Sequence, residues 1–457
     1  MSLTGLAFLL AFAAGIGLAV LRHPLFGLYT YVAIFYLHPP SRWWGETLPD
    51  LRWSLLAAAV TLIVSWRLPP VPGRPSWLST TPGKALTIFT LWLWLQNLWA
   101  LEPEAHLEAS FLFTKYVVLY YLIYRLAVTT QDMQRFLLVH IAGCAFLGWL
   151  AFGIEVSGRL EGVGGPGIDE ANAFAMQMAT AVAVAAMIAL ASGGWRWFAI
   201  VVMPFILNGV ILSGSRGGFL ALLGGGLVLW YLKPKEYRKL FYAFAALGVV
   251  LMGILAHDMF WERMGTIEAA ADRDESADTS ALSRFALVDA QFRMFKSYPH
   301  GAGHRGTATL SPMYLEERFL SAAAEGQERR RSSHNTFMSA LTEQGVPGAI
   351  FYFWIWGWTA RTVLKLKRDQ AFSADTSRRA LLASVAAALI IVMIAGVFVD
   401  YIKAEVQIWL WALLASLTAL GAQRATQPAA QVADGVARHP PVPVAGRGAA
   451  IRPAGRE

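Results

Sequence analysis

Arg331-Ser332-Ser333-His334-Asn335-Thr336-Phe337-Met338-Ser339-Ala340-Leu341 is where a long polar stretch hands over to an apolar run. Behind it lies a polar excursion that begins near His257 and ends at Ser333. The rest of the chain up to about residue 421 is mostly apolar segments joined by short polar turns. A chain patterned this way is a bundle of membrane-spanning helices with one large loop. Its chemistry then belongs to that loop and to the turns sharing its side of the bilayer.

Composition agrees. Of 457 residues, 56% are hydrophobic and 15% charged, too little polar surface to cover a soluble globule. The formal net charge of +8 reads as Lys and Arg in cytoplasmic loops facing anionic lipid. Membrane lipids are therefore expected partners and nucleic acid is not. Cys144, the single cysteine, sits inside an apolar segment, which excludes an intramolecular disulfide and a cysteine-built metal site. The first apolar run has no basic leader and no small-residue cleavage motif, so it reads as a retained helix.

A span takes about 20 apolar residues. Runs near that length fall at 3–21, 51–66, 84–100, 110–127, 133–153, 172–191, 195–213, 217–232, 240–256, 335–360, 380–399 and 404–421. The expected fold is all-α and polytopic, with about twelve transmembrane helices and one large periplasmic loop containing amphipathic helices. Pro24 to Pro39, shorter and aromatic, adds a thirteenth span unless it lies at the interface. The chain divides into an N-terminal transmembrane bundle (1–256), the large loop (257–333), C-terminal transmembrane helices (334–421) and a tail (422–457). The tail is Ala/Pro/Arg-rich and aperiodic, and reads as a disordered cytoplasmic extension.

Lys and Arg in the short loops set the sidedness. Arg67, Arg74 and Lys84 share one connection and Arg125 and Arg135 another. Arg196, the Lys233/Lys235/Arg238/Lys239 cluster and the run from Arg361 to Arg379 follow. These alternate with a second set: Glu102-Pro103-Glu104, the Gly-rich turn Gly158 to Asp169, Ser213 to Gly218, the long loop, and Asp400 to Glu405. The second set is the outer, periplasmic face.

On that face, Ser213-Gly214-Ser215-Arg216-Gly217-Gly218 puts a guanidinium at the membrane boundary among glycines. It is either an anion site, where helix N–H groups and a planar fork meet a phosphate, or an arginine reaching headgroups beside a helix-packing glycine run. Within the loop, Ser283 to Phe295 has apolar residues at helical spacing and reads as an amphipathic helix carrying Arg284 and Arg293. It ends in the turn-forming string Ser297 to Gly303. Asp272 to Asp278 reads as a mobile solvated loop, and Arg329-Arg330-Arg331 equally fits a headgroup contact.

His334 stands where a helix begins, behind Ser332 and Ser333 as caps, with Asn335 beside it and Glu343 two and a half turns along the same span. Histidine is the side chain able to take a proton near neutral pH; the other reading is an interfacial residue with satisfied bonds. Lys115 lies inside a span near its outer end, where an ammonium needs a partner or water, and Asn172 opens another span on that face. Either can line a polar cavity. No histidine spacing supports a metal site.

Four features together resemble the O-antigen ligase and polymerase superfamily over roughly residues 165–360. They are Ser215-Arg216-Gly217-Gly218, the upstream Asp169/Asn172, the Arg284 helix ending in Pro299-x-Gly301-x-Gly303, and Ser333-His334-Asn335 followed by Glu343-x-Gly345-x-x-Gly348. The N-terminal third resembles the extension of a subgroup of O-glycosylation ligases. The resemblance implies a glycosyltransferase of the bacterial inner membrane, its active face periplasmic. It would move an O-antigen glycan from undecaprenyl diphosphate to a sugar hydroxyl of lipid A-core, inverting the anomeric centre without a metal or other cofactor. His334 would be the base, Arg216 and Arg284 the diphosphate ligands, and Lys115, Asn172, Arg293, Arg305 and Asn335 supporting residues. An O-antigen polymerase, a protein O-oligosaccharyltransferase and a transporter of the same lipid-linked glycan are the rival readings.

Overall fold

The computed structural model describes residues 2–154, 159–191, 193–256, 260–261, 264–265, 279–321 and 328–426. The charge run Asp272 to Asp278 and the tail from residue 427 lie outside them. Among the described residues all regular structure is helical. In chain order the α-helices are α1 (Leu3–Leu21), α2 (Leu25–Leu37), α3 (Trp53–Ser65), α4 (Thr81–Gln96), α5 (Pro103–Leu126), α6 (Thr130–Phe152), α7 (Ala171–Leu190), α8 (Trp195–Leu212) and α9 (Arg216–Leu232). They continue with α10 (Arg238–Leu255), α11 (Thr279–Ser297), α12 (Gly306–Tyr314), α13 (Thr336–Thr342), α14 (Gly345–Arg368), α15 (Gln370–Ser373), α16 (Thr376–Ala395) and α17 (Glu405–Thr426).

Six helical segments, α1, α6, α7, α8, Lys235–Leu255 and α16, are long and apolar enough to cross a membrane, and α3, α9 and Glu405–Leu420 are shorter apolar helices. The protein is a helical membrane protein. The twelve expected crossings are met only in part by length and apolarity. Helix α4 has 16 residues, and α5, though 24 residues long, carries Glu104, Glu108, Lys115 and Arg125. Pro24 to Pro39 does form a helix, α2, packed against α1, α3 and α6.

Local signals place the helix starts. Thr129 and Asp132 close a capping box on α6, Thr80 caps α4 ahead of Pro82, Ser215 caps α9, and Asp375 caps α16. At the centre stands α7, whose Ala-rich sequence is buried almost throughout and packs against α6, α8, α9 and α16. Small residues let helices approach closely where lipid supplies no hydrophobic drive. The glycines after Arg216 serve this packing: a Cβ on Gly217 would stand 2.9 Å from Phe398, and one on Gly218 2.5 Å from the Ala175 methyl. Outer helices keep apolar surface bare, as at Val249 and Ile254 of α10, both 73% exposed.

The two sets of connections separate to opposite ends. At one, Arg379 pairs with Glu236 at 2.8 Å and Arg125 donates to the Leu68 carbonyl. At the other, Leu101 N donates to Ala302 O at 3.0 Å, Leu160 N to Leu212 O at 3.2 Å and Thr336 N to Gly396 O at 2.7 Å. The Glu102 and Asp400 connections therefore meet the long loop, and the Gly158–Asp169 connection meets the end of α8 beside Ser213.

One expected span is not continuous. The run 335–360 divides into α13 and α14 at Glu343-Gln344, where Gly345 takes φ +70°. The break is filled by Pro299 to Gly303: Ala302 N and Gly303 N donate to the carbonyls of Thr342 (3.0 Å) and Glu343 (2.9 Å), and Val346 N donates to Pro299 O (3.0 Å). Glu343 thus sits in a corner, not on the flank of a helix.

Gly345→Ala should lower the thermal midpoint of the detergent-solubilised protein. Positive φ and a Cβ 2.4 Å from the His300 carbonyl carbon outweigh the gain of up to ~1 kcal/mol that an unstrained Gly→Ala change brings. Gly357→Ala, with nothing within 4 Å of its added methyl, should not lower it. Equal midpoints for the two variants would refute the packed break.

Candidate functional site

The link before α13 is held on both sides. Asn335 is the cap of α13, its Oδ1 accepting from Phe337 N at 3.0 Å and Met338 N at 3.1 Å. The cap expected at Ser332 or Ser333 is therefore two or three residues further on, and the Asn335 side chain is used in folding. Ser333 Oγ instead accepts from Gln291 Nε2 of α11 at 2.9 Å. Thr336 Oγ1 donates to Val399 O and accepts from Tyr401 N, both at 2.8 Å, which stitches the link to the turn between α16 and α17.

His334 is partly buried between these ties. Burial pushes its imidazole down to about 4, and the charges of Arg331 and Arg284 push the same way. Arg331 is not on the surface with its neighbours. Its Nη2 donates to Ser283 Oγ at 3.2 Å and its N–H to Ser311 Oγ at 2.7 Å, whereas Arg330 pairs with Glu102 at 2.6 Å and Arg329 with Glu317 at 3.3 Å.

Arg284 connects His334 to a second polar group. Tyr401, its phenol raised by burial, feels the charges of Glu170, Arg159 and Arg284 together. Arg159 Nη2 donates to Asn172 Oδ1 at 2.6 Å, and Ser215 Oγ donates to the same oxygen at 2.8 Å. Ser215 also accepts from Gly218 N at 3.1 Å, so Arg216 begins α9 one residue beyond this junction. Arg159, Asn172 and Ser215 form one hydrogen-bonded chain at the Arg216 turn, and the Arg284 charge acts on both His334 and Tyr401.

On the other side of Ser333 lies a cavity of about 910 Å³. Its cationic lining is Arg52, Lys115, Arg305 and Lys403, with Ser332 and Ser333 at one edge and Asp400 and Glu343 in its wall. Glu343 is held by His304 Nδ1 at 3.4 Å and by the N–H groups of Arg305 (3.2 Å) and Thr307 (3.3 Å). Lys403 Nζ donates to His304 Nε2 at 2.9 Å, which leaves the imidazole proton on Nδ1, facing Glu343. Burial, and then the Glu343 charge, raises the Asp400 carboxyl.

Of the residues marked in the sequence, His334 and Arg284 come together, Asn172 supports the Arg216 turn, and Lys115 and Arg305 share the cavity. Arg293 does not join them: its Nη2 donates to Tyr314 O at 2.7 Å, tying α11 to α12 on the exposed side. Arg331, read with its neighbours as a headgroup contact, instead turns inward to Ser283 and Ser311. Arg159, Tyr401, His304 and Lys403 carried no role in the sequence reading; they are single polar residues in connections, with no local pattern to mark them.

The fold and site define a helical membrane protein with a cation-rich polar site at one end of its bundle. Residues 200–353 match the family model described as O-antigen ligase. The match is narrower than the 165–360 expected, and it contains Arg216, Arg284, Arg293, Arg305, His334 and Asn335 but not Lys115 or Asn172. No curated protein matches the chain.

Glu343→Ala should destabilise the protein by about 1–3 kcal/mol for the buried Thr307 N–H left unpaired and by less for the part-buried Arg305 N–H, and Glu343→Gln, with one acceptor oxygen, should recover part of the loss. Thermal unfolding of both variants against the parent tests this. A midpoint unaffected by Ala would remove Glu343 from the framework of the site.

Proposed function

We propose that this protein is an O-antigen ligase of the bacterial inner membrane. It moves a glycan from undecaprenyl diphosphate to a sugar hydroxyl of lipid A-core on the periplasmic face. The observation that carries the reading is the docking of the Arg284 helix on the His334 link, through Gln291 to Ser333 and Arg331 to Ser283, within a stretch similar to O-antigen ligases. The acceptor hydroxyl gives its proton to neutral His334 as its oxygen bonds the anomeric carbon. The bond from that carbon to the diphosphate breaks on the opposite face, so the centre inverts. Arg284 and Arg216 take up the charge that grows on the leaving diphosphate, and electrostatics with positioning supplies most of the barrier reduction without a metal. Asn172 sets the Arg216 turn through Ser215. Lys115 and Arg305 act from the neighbouring cavity, while Arg293 and Asn335 hold the helices.

The arginines also tune the base. An imidazole near 4 stays unprotonated at neutral pH but accepts a proton weakly. A bound diphosphate cancels part of the arginine field and raises its basicity when the donor is in place.

Transfer from undecaprenyl-diphosphate glycan to rough lipopolysaccharide by purified protein in EDTA should proceed with the parent and vanish with His334→Ala, donor binding being retained. Full activity of the variant would remove His334 as base. Product on a protein but on no lipid would make the enzyme an O-oligosaccharyltransferase, and extension of the donor glycan itself would make it a polymerase.

The acid limb of kcat/KM, which reports the free enzyme, should fall near 4 and not at the ordinary histidine value of about 6.5. The limb of kcat should lie higher, and Arg331→Gln should move the free-enzyme limb upward. Because the unfolded chain takes up the proton first, native stability should also decline as pH drops from about 6.5 toward 4. A kcat/KM limb at 6.5, unmoved by Arg331→Gln, would contradict this field.

A further inference from the structure

A second cavity, about 540 Å³, lies between α2, α3 and α5. Its walls are mainly apolar, with Ile34, Ala58, Leu62, Val118 and Leu122 among them. Arg52 and Lys115 line this cavity and the larger cationic one alike. The two spaces thus meet at a pair of cations, apolar on one side and polar on the other. Among the described residues the side chains of Arg52 and Lys115, both exposed, have no hydrogen-bonding or ionic partner. Of the acids lining these spaces, Glu343 is occupied by His304 and two backbone N–H groups, Asp400 accepts from Ile402 N at 3.0 Å, and Glu108 and Asp50 line the cavities without pairing with either cation. An unpaired cation beside an apolar wall in a membrane protein calls for an anion with an apolar chain attached.

The position of this double cavity relative to His334 narrows the choice. Ser333 and Asp400 line the cavity, while the residues that follow them, His334 and Tyr401, belong to the arginine group; Arg216 and Arg284 do not line the cavity. The cavity and the arginine group thus share the Ser333-His334 link, and the cavity is left to the substrate that Arg216 and Arg284 do not hold.

We propose that the two cavities form the acceptor site, taking a phosphorylated glycolipid whose apolar chain lies against α2 and α3 and whose phosphate sits on Arg52 and Lys115. This rests on the transfer reading above.

The test measures binding of rough lipopolysaccharide and, separately, of undecaprenyl diphosphate to the full-length protein in detergent, together with transfer kinetics. Arg52→Gln/Lys115→Gln should weaken rough lipopolysaccharide binding and raise its KM about tenfold, the scale of losing two charge-assisted contacts to phosphate, with undecaprenyl diphosphate binding unchanged. Ala58→Trp, which fills the apolar half, should do the same while keeping both cations. Rough lipopolysaccharide stripped of phosphate should bind the parent no better than the intact lipid binds the double variant. Weakened undecaprenyl diphosphate binding with intact acceptor binding would hand the cavity to the donor and overturn the proposal, as would no change in either. Transfer that continues with an unaltered acceptor KM in both variants would sink the acceptor site and leave the ligase reading standing. A parent that binds rough lipopolysaccharide through these residues yet transfers nothing would do the reverse.

Discussion

A helix that breaks in a membrane protein must find partners for the amides and carbonyls it exposes. Here the break between α13 and α14 finds them in the long loop. Thr342 O and Glu343 O receive the N–H groups of Ala302 and Gly303, and the Glu343 carboxylate turns to the start of α12. The loop is held to the bundle through this corner, and so are its two flanks, α11 through Gln291 to Ser333 and the link that carries His334. Were 335–360 a single helix, those groups would be spent internally and the loop would have no seat.

The second organising feature is the thinness of the wall between the arginine group and the cavity. It consists of the Ser333-His334 link and the Asp400-Tyr401 turn, joined by the two bonds of Thr336. Neighbouring residues of one stretch therefore serve both the cavity and the arginine group. Arg284 and Arg331 bear on His334, while Lys403, which lines the cavity, is taken up by His304.

Much of this was legible in the sequence. Apolar length placed most helices within a few residues, because polar groups are costly in lipid, though α5 begins seven residues before the expected run and α14 ends eight after it. Lys115 stood out because an ammonium inside a span needs an explanation. The break was not read, although Gly345-Val346-Pro347-Gly348 is a breaker string, because the residues around it stay apolar enough to pass for one span. The cap of α13 went to Ser332 or Ser333 because Ser and Asn are near-equal caps and only the stitching to Gly396 and Tyr401 decides between them. Arg159, Tyr401 and Lys403 depend on which turns touch in space, which no local pattern states, and Arg293 looked like its helical neighbour Arg284 until the packing of α12 separated them.

The seat of the loop is written in main-chain atoms. Pro299 O, Ala302 N and Gly303 N meet the break, Gly301 O accepts from Trp99 Nε1 at 3.1 Å, and Ala302 O accepts from Leu101 N at 3.0 Å. Every residue but proline carries the same two backbone groups, so most side chains along this segment can change without loosening the grip, glycine positions apart. Two chains can therefore share this clamp with almost no identity across it. The segment that fixes the site most firmly is one that comparison of letters is least equipped to find.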